Sequence, residues 1–199
     1  MASSIGRGAD VKRHKLSKYW MEGAAFGLAD GIICCLGLII GVAEATINFP
    51  ALERRSIILA SGLLGGLANA FGNSIGFFLS QEAERSVQLH EEKMGMKTRV
   101  HTKREVLMSG VMSFSSTLLA LLILIFPFVF LNIENGIIST FILGVILSFS
   151  MGGYIGKISG QNPAKTGLKY AVLALLGALI SHEIGDLLST IIPIHQGLV

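Results

Sequence analysis

Five long apolar segments alternate with short polar connections along the chain, and each segment is long enough to cross a bilayer. A transmembrane helix needs about 20 mostly apolar residues. We therefore predict an all-α polytopic membrane protein with five transmembrane helices, in which residues 1–199 form a single membrane domain. The predicted helices are about 21–45, 56–80, 105–131, 136–157 and 166–192, with a tail at 1–20 and a polar loop at 81–104 that continues the second helix into water.

The composition supports this prediction and excludes other classes of protein. Apolar residues make up 51% of the chain, charged residues 15%, and the mean hydropathy is +0.65. Soluble domains carry about 25% charged residues. The net charge of +3 is small, and the sequence has no basic stripe with interleaved aromatics, so we expect no nucleic-acid binding. Cys34 and Cys35 are adjacent in an apolar run and are expected to be small core residues.

Positive residues are distributed unevenly between the two predicted sides of the membrane. Five spans place residues 1–20, 81–104 and 157–169 on one side, and these segments hold every Lys and Arg except Arg54 and Arg55. Loops on the cytoplasmic side of membrane proteins carry the excess of positive residues. We therefore expect a cytoplasmic N-terminus, an external C-terminus and a multi-pass protein of the cell membrane.

Two carboxylates in the first segment are candidates for a transport site. Asp30 lies ten residues after Trp20, which is about 15 Å along a helix with a rise of about 1.5 Å per residue. An ionisable group at this depth costs about 2.5–3.5 kcal/mol on insertion scales, so we expect it to have a functional role or a polar partner. Glu44 shares the face of Asp30 nearer the outer surface. The alternatives are a buried acid in a packing seam for Asp30 and a side chain reaching the headgroups for Glu44.

Polar side chains in the second and fifth segments are further candidates. Asn69 and Asn73 lie one helical turn apart, where their amide oxygens are suited to a hard cation or to hydrogen bonds between helices. In the fifth segment, His182, Glu183 and Asp186 form a possible cation or proton relay. His182-Glu183 also begins a pattern resembling the zinc-protease HExxH, but Asp186 replaces the second histidine and removes a zinc ligand.

The polar loop and the methionines offer weaker candidates for metal binding. Four loop side chains suited to capturing metal in the cytoplasm are Glu84, His90, Glu91 and Glu92. The basic residues between them favour a competing interpretation, which is a solvated charged helix. Three methionines offer thioether ligands for ferrous iron or simply fill the apolar core, and they are Met108, Met112 and Met151.

These features together resemble the vacuolar iron transporter family. The first helix contains Ala-Asp-Gly-Ile at 29–32 and a small-residue second half with Gly-Val-Ala at 41–43. The Gly-rich second helix, 60–80, runs directly into an acidic segment, as in that family. Pro127 near the outer end of the third span and Gly-Gly-Tyr at 152–154 continue the resemblance into the later spans.

The resemblance implies a five-helix homodimer with the ion path between protomers and proton-coupled export of Fe²⁺ or Mn²⁺ from the cytoplasm. It places Asp30 at the transport carboxylate of the family. Gly65 and Asn73 stand where the family has glutamate and methionine, and the cytoplasmic loop is shorter than the family's metal-binding domain. This chain therefore resembles a divergent member. We expect a homodimer packed through the Gly-rich faces of the first and second helices, with the face from Gly27 to Gly41 in contact between protomers.

Two other functions remain open from the sequence. A membrane enzyme using His182, Glu183 and Asp186 would turn over a lipid or peptide without moving metal. A structural membrane protein would need Asp30 for stability only. We expect a transporter and not an enzyme, with no permanently bound cofactor and with Fe²⁺ or Mn²⁺ as the transported ion. The expected partners are divalent metal ions, protons, membrane lipids and a second copy of the chain.

Overall fold

Helices account for nearly all of the computed structural model, which describes the backbone of residues 3–191 and the side chains of residues 21–191. The elements are α1 (Ser3–Ala45), α2 (Ala51–Lys93), α3 (Lys103–Ile125), α4 (Pro127–Phe130), α5 (Ile133–Ile158) and α6 (Pro163–Ile191). No strand occurs in this part of the chain, which confirms the all-α class. Five segments are long and apolar enough to cross a membrane, and these are Met21–Ala45, Ala51–Lys93, Lys103–Phe130, Ile133–Ile158 and Pro163–Ile191.

The helix boundaries differ from the predicted ones for identifiable physical reasons. Helical backbone begins at Ser3, so α1 includes most of the predicted tail. Helix α2 continues past position 80 to Lys93, as its charged continuation suggests. The third span is divided, with α3 ending at Ile125 and the one-turn helix α4 beginning at Pro127. A proline has no N–H to donate and crowds the carbonyl four residues earlier, so it starts a helix more readily than it continues one.

Specific residues set the ends of the long helices. Gly95 has a φ of 80° just after α2, and Gly160 has a φ of 67° just after α5. Glycine adopts this left-handed conformation without a steric penalty, so both residues let the chain leave its helix sharply. The start of α3 is a capping box, in which Thr102 Oγ1 accepts from the Glu105 N–H and Glu105 Oε2 accepts from the Thr102 N–H.

Helix α1 is the centre of the bundle and packs against all four other long helices. A side chain at Gly27 would overlap the backbone carbonyl of Ser113 in α3, and one at Gly41 would meet the carbonyl oxygen of Ser181 in α6 at 3.1 Å. Small residues therefore allow α3 and α6 to approach the backbone of α1 from different sides. Helix α1 contributes more residues to the resulting buried core than any other helix, all between positions 32 and 43.

This packing makes the expected dimer contact along Gly27–Gly41 wrong, because α3 and α6 of the same protomer already occupy that face. Within residues 21–191, the helical glycines that remain uncovered lie on α2. Ala68, Gly72 and Gly76 are exposed, and a Cβ built at either glycine meets no atom within 4 Å. A face suited to close helix packing is thus present, but on the second helix.

The two arginines on the predicted outer side are held by backbone carbonyls at helix ends. Arg54 donates from Nε and Nη2 to the carbonyl oxygen of Ala43, at 3.1 and 2.8 Å, near the end of α1. Arg55 donates to three carbonyl oxygens within residues 128–131, at 2.8–3.0 Å. The last carbonyls of a helix have no partner within the helix, so both guanidinium groups satisfy acceptors that the fold leaves open.

Candidate transport site

Asp30 lies half-buried in the groove between α1 and α2, near the middle of both spans. Its Oδ2 accepts hydrogen bonds from Nδ2 of Asn73 at 2.8 Å and Nδ2 of Asn69 at 3.2 Å. Neither amide donates to Oδ1, and the thiol of Cys34 lies close enough to interact with the carboxylate. Among residues 21–191, no Lys, Arg or His side chain forms an ion pair with Asp30.

A buried hydroxyl connects this carboxylate to α3. Nδ2 of Asn73 also donates to Oγ1 of Thr117 at 3.1 Å, and Oγ1 of Thr117 donates to the carbonyl oxygen of Gly27 at 2.8 Å. Thr117 has no exposed surface, whereas Asn73 is half-buried. The side chains of α1, α2 and α3 therefore form one continuous hydrogen-bonded unit around Asp30, in which amide donors compensate part of the negative charge.

Aromatic rings border the site on the side of the predicted cytoplasm. Phe26 lies one helical turn before Asp30 in α1, and Phe77 lies one turn after Asn73 in α2. Their ring centroids are 5.0 Å apart and their planes are inclined by 25°, which is a stacked arrangement. The site is thus polar at the depth of Asp30 and apolar one turn away.

The outer end of α1 carries a second polar contact. Nδ1 of His182 in α6 lies 3.4 Å from Oε2 of Glu44, and their side chains are 47% and 17% exposed. The contact is held by very close helix packing, because a Cβ at Gly185 would overlap the carbonyl oxygen of Gly41. Along α1, Glu44 is about 21 Å from Asp30 at a rise of about 1.5 Å per residue. The two acids therefore belong to separate sites.

The predicted relay on the fifth span is not assembled as one group. His182 pairs with Glu44 on another helix, while Glu183 and Asp186 are exposed. Within residues 21–191, no three or more His, Cys, Asp or Glu side chains lie close enough together to hold a metal ion. The arrangement thus provides an imidazole and a carboxylate facing each other, with two further acids nearby on the surface of α6.

The side chains proposed for cytoplasmic metal capture are spread along the end of α2. Glu84 and Glu91 each accept a hydrogen bond from a neighbouring polar side chain, at 3.0 and 2.9 Å. His90 and Glu92 are exposed. The structure does not bring these four side chains together.

Two of the three candidate methionines face the same space. Met112 and Met151 line a cavity of about 400 Å³ together with Met21, whereas Met108 is not part of its lining. The remaining lining is apolar apart from two serine hydroxyls and a tyrosine, with no carboxylate or imidazole. Met112 and Met151 therefore face a space whose lining does not include Asp30.

Thr117 was missed in the sequence analysis, although the sequence contains a signal for it. Hydroxyl residues recur in α3 at helical spacing, at Ser109, Ser113 and Thr117, in an otherwise apolar segment. Such a row places hydroxyls on one face of the helix, but it is equally typical of ordinary contacts between membrane helices. Only the packing of α3 against α1 and α2 singles out Thr117.

Comparisons with known proteins show what this chain is similar to. The sequence model of the VIT family matches residues 21–101, which contain Asp30, Glu44, Asn69 and Asn73. An uncharacterized protein of Methanocaldococcus jannaschii is 29% identical over 165 residues, which cover 77% of this chain and 82% of that protein. The match to the VIT family model confirms the family resemblance and indicates metal-ion transport by an integral, multi-pass membrane protein. It also fits the expectation of a transporter and not an enzyme.

Proposed function

Residues 21–101 belong to the VIT family, and on this premise we propose that the chain exports Fe²⁺ or Mn²⁺ from the cytoplasm in exchange for protons. The observation that carries the proposal is the position of Asp30. This carboxylate lies at mid-span, is held by two amides and has no cationic partner among the described side chains. A buried charge of this kind is retained in membrane helices chiefly where ions or protons pass.

Asp30 is suited to exchange because a proton and a metal ion use the same carboxylate lone pairs. Binding of one therefore releases the other. The protonated group is neutral and inexpensive to bury, and in the metal-bound state the cation compensates the charge. The neighbouring ligands available from Asn69 and Asn73 are amide oxygens, which suit harder divalent ions such as Mn²⁺ better than soft ions such as Cu⁺.

In this proposal, Glu44 and His182 form a second cation-binding site near the outer end of the ion path. Imidazole and carboxylate ligands bind divalent first-row metals, and this pair lies about 21 Å beyond Asp30 along α1. The exposed carboxylates of Glu183 and Asp186 add negative charge at the same end and attract the cation toward the exit. At the other end, the acidic residues of α2, including Glu84, attract metal ions from the cytoplasm.

We place the homodimer interface on the exposed small-residue face of α2. Ala68, Gly72 and Gly76 follow one another at intervals of four residues and are uncovered. Asp30 lies beside the same helix in a groove that remains half-open in one protomer. A second copy packed here brings a second α2 toward the groove and closes it against lipid, which supports an ion path between protomers.

The experiment that tests the function is metal flux into proteoliposomes with and without a pH gradient, using Fe²⁺, Mn²⁺, Zn²⁺, Co²⁺ and Ca²⁺. Asp30→Asn keeps the size of the side chain and removes its charge and exchangeable proton. We expect at least a tenfold loss of Mn²⁺ and Fe²⁺ flux in a protein that still elutes as a folded species. Glu134→Gln removes an exposed acid at the start of α5 and serves as the matched control. Normal flux in Asp30→Asn would disprove the proposed site.

A further inference from the structure

The hydrogen bonds of Thr117 fix the direction of the Asn73 amide. A backbone carbonyl oxygen only accepts, so the single hydroxyl proton of Thr117 is donated to Gly27. Toward Asn73, the hydroxyl is then left with lone pairs and must accept. The atom of Asn73 that faces Thr117 is therefore the amide nitrogen and not the amide oxygen.

This constraint extends to Asp30. The amide nitrogen of Asn73 carries two protons, and its two acceptors are Thr117 Oγ1 and Asp30 Oδ2. Both amide protons are therefore used in hydrogen bonds, and the amide oxygen of Asn73 lies on the other side of the amide group. In the described structure, that oxygen accepts no hydrogen bond. The amide oxygen of Asn73 is therefore free of hydrogen bonds in the described structure, and Oδ1 of Asp30 has no amide donor.

We propose that Thr117 is a positioning residue that holds Asn73 with its amide oxygen available to the transported cation. This inference rests on the proposed function of Asp30. Thr117 lies on α3, is completely buried and acts through Asn73, without forming a hydrogen bond to Asp30 itself. An ionised Asp30 accepts from the same nitrogen, so the hydroxyl and the carboxylate select the same one of the two amide orientations.

Loss of the hydroxyl releases this constraint. Thr117→Val keeps the shape of the side chain but provides no acceptor, so the amide of Asn73 gives up one of its two fixed partners. The amide is then oriented by Asp30 alone, and its oxygen is held less firmly for the cation. Because one oriented polar contact is worth a factor of about 5–10 in an equilibrium constant, we expect the Mn²⁺ Kd and the transport KM to rise about 5–10-fold.

The chain contains a matched control for this substitution. Thr140 in α5 is also completely buried, and its Oγ1 donates to the carbonyl oxygen of Leu124 at 2.8 Å, the same distance as in the Thr117–Gly27 bond. Thr140 forms no hydrogen bond with a residue of the Asp30 site. Thr140→Val should therefore lower thermal stability to a similar degree without changing the Kd or KM for Mn²⁺.

The test measures Mn²⁺ binding to the purified full chain by electron paramagnetic resonance and Mn²⁺ flux in proteoliposomes. Thr117→Val should weaken binding and raise KM with the maximal rate changed less than twofold, and Thr117→Ser should restore both values. If Thr117 acts only through Asn73, adding Thr117→Val to Asn73→Ala should change the Kd and KM no further. If the valine variant is poorly folded, Thr117→Ala, which also removes the hydroxyl, takes its place in both comparisons.

Two results would overturn the inference separately from the proposed function. If the wild type binds and transports Mn²⁺ but Thr117→Val matches Thr140→Val in Kd and KM, Thr117 has only a structural role. If Thr117→Val and Asn73→Ala are additive, Thr117 does not act through the amide. By contrast, a wild-type protein that neither binds nor moves metal would refute the proposed function itself.

Discussion

At the scale of single residues, Asp30 and Glu44 differ in surroundings although both are acids on α1. Asp30 is held at mid-span by two amides, whereas Glu44 lies in the last turn of α1 beside His182, whose side chain is 47% exposed. Water and buffer ions therefore reach the outer pair more readily than the inner carboxylate. The two residues should contribute unequally to transport.

We expect Glu44→Gln to lower the initial rate of Mn²⁺ flux by a few-fold at most, compared with at least tenfold for Asp30→Asn. The remaining imidazole of His182 and nearby water still provide ligands at the outer end. Parallel flux assays on both variants, corrected for the amount of folded protein, give the ratio. An equal loss in Glu44→Gln would show that ion passage depends on the outer pair as much as on Asp30.

Part of this site was predictable from local geometry and part was not. The rise and period of a helix are enough to place Asp30 at mid-span and to put Asn69 and Asn73 on one face. The contacts of Thr117 with Gly27 and of Arg55 with Phe128 join residues 90 and 73 positions apart. Such contacts depend on which helices pack together, and the periodicity within one helix does not indicate its neighbours.

At the scale of helices, glycines with similar sequence surroundings have different roles. Gly27 in α1 faces the backbone of α3 so closely that no side chain fits, whereas a Cβ at Gly72 in α2 meets no atom within 4 Å. The glycine-rich faces of both helices were candidates for the dimer contact, and the packing of α3 and α6 excludes the one on α1. The choice could not be made from composition, because small residues support packing within a protomer and between protomers equally well.

This difference predicts opposite results for two leucine substitutions. Gly27→Leu should prevent α1 and α3 from packing and yield little folded protein. Gly72→Leu should leave the protomer folded, with a thermal midpoint close to that of the wild type, and shift it from dimer to monomer. Size-exclusion chromatography with light scattering and a thermal melt measure both properties. A Gly72→Leu protein that remains fully dimeric would place the interface elsewhere.

At the scale of the whole molecule, the number and class of helices followed directly from hydrophobic length, which is a local property of the chain. Their arrangement around α1 did not, since every apolar segment has several possible neighbours. The break at Pro127 could be predicted only in part. The proline marks its position in the sequence, but the length of α4 depends on the turn into α5.

The orientation of the molecule remains a prediction that the charge distribution makes testable. The two arginines on the predicted outer side are held by carbonyls at helix ends, so their presence there has a structural reason. A reporter inserted near Met94 should read as cytoplasmic, and one fused after Val199 should read as external. Reporters on the same side of the membrane would contradict an odd number of spans between these two positions.

The length of α2 gives the molecule a lever. Its 43 residues make a rod about 65 Å long, roughly twice the thickness of a hydrocarbon core. The arm from Asn73 to Lys93 is about 30 Å, so a tilt of about 10° around Asn73 moves its tip by about 5 Å. Conversely, a pull on that tip first meets the hydrogen bonds that join the arm to residues 101–110, among them Arg85 to the carbonyl of His101 and Ser74 to the carbonyl of Gly110. The lever is therefore braced along its length by the start of α3 and the segment before it, and not only at Asn73.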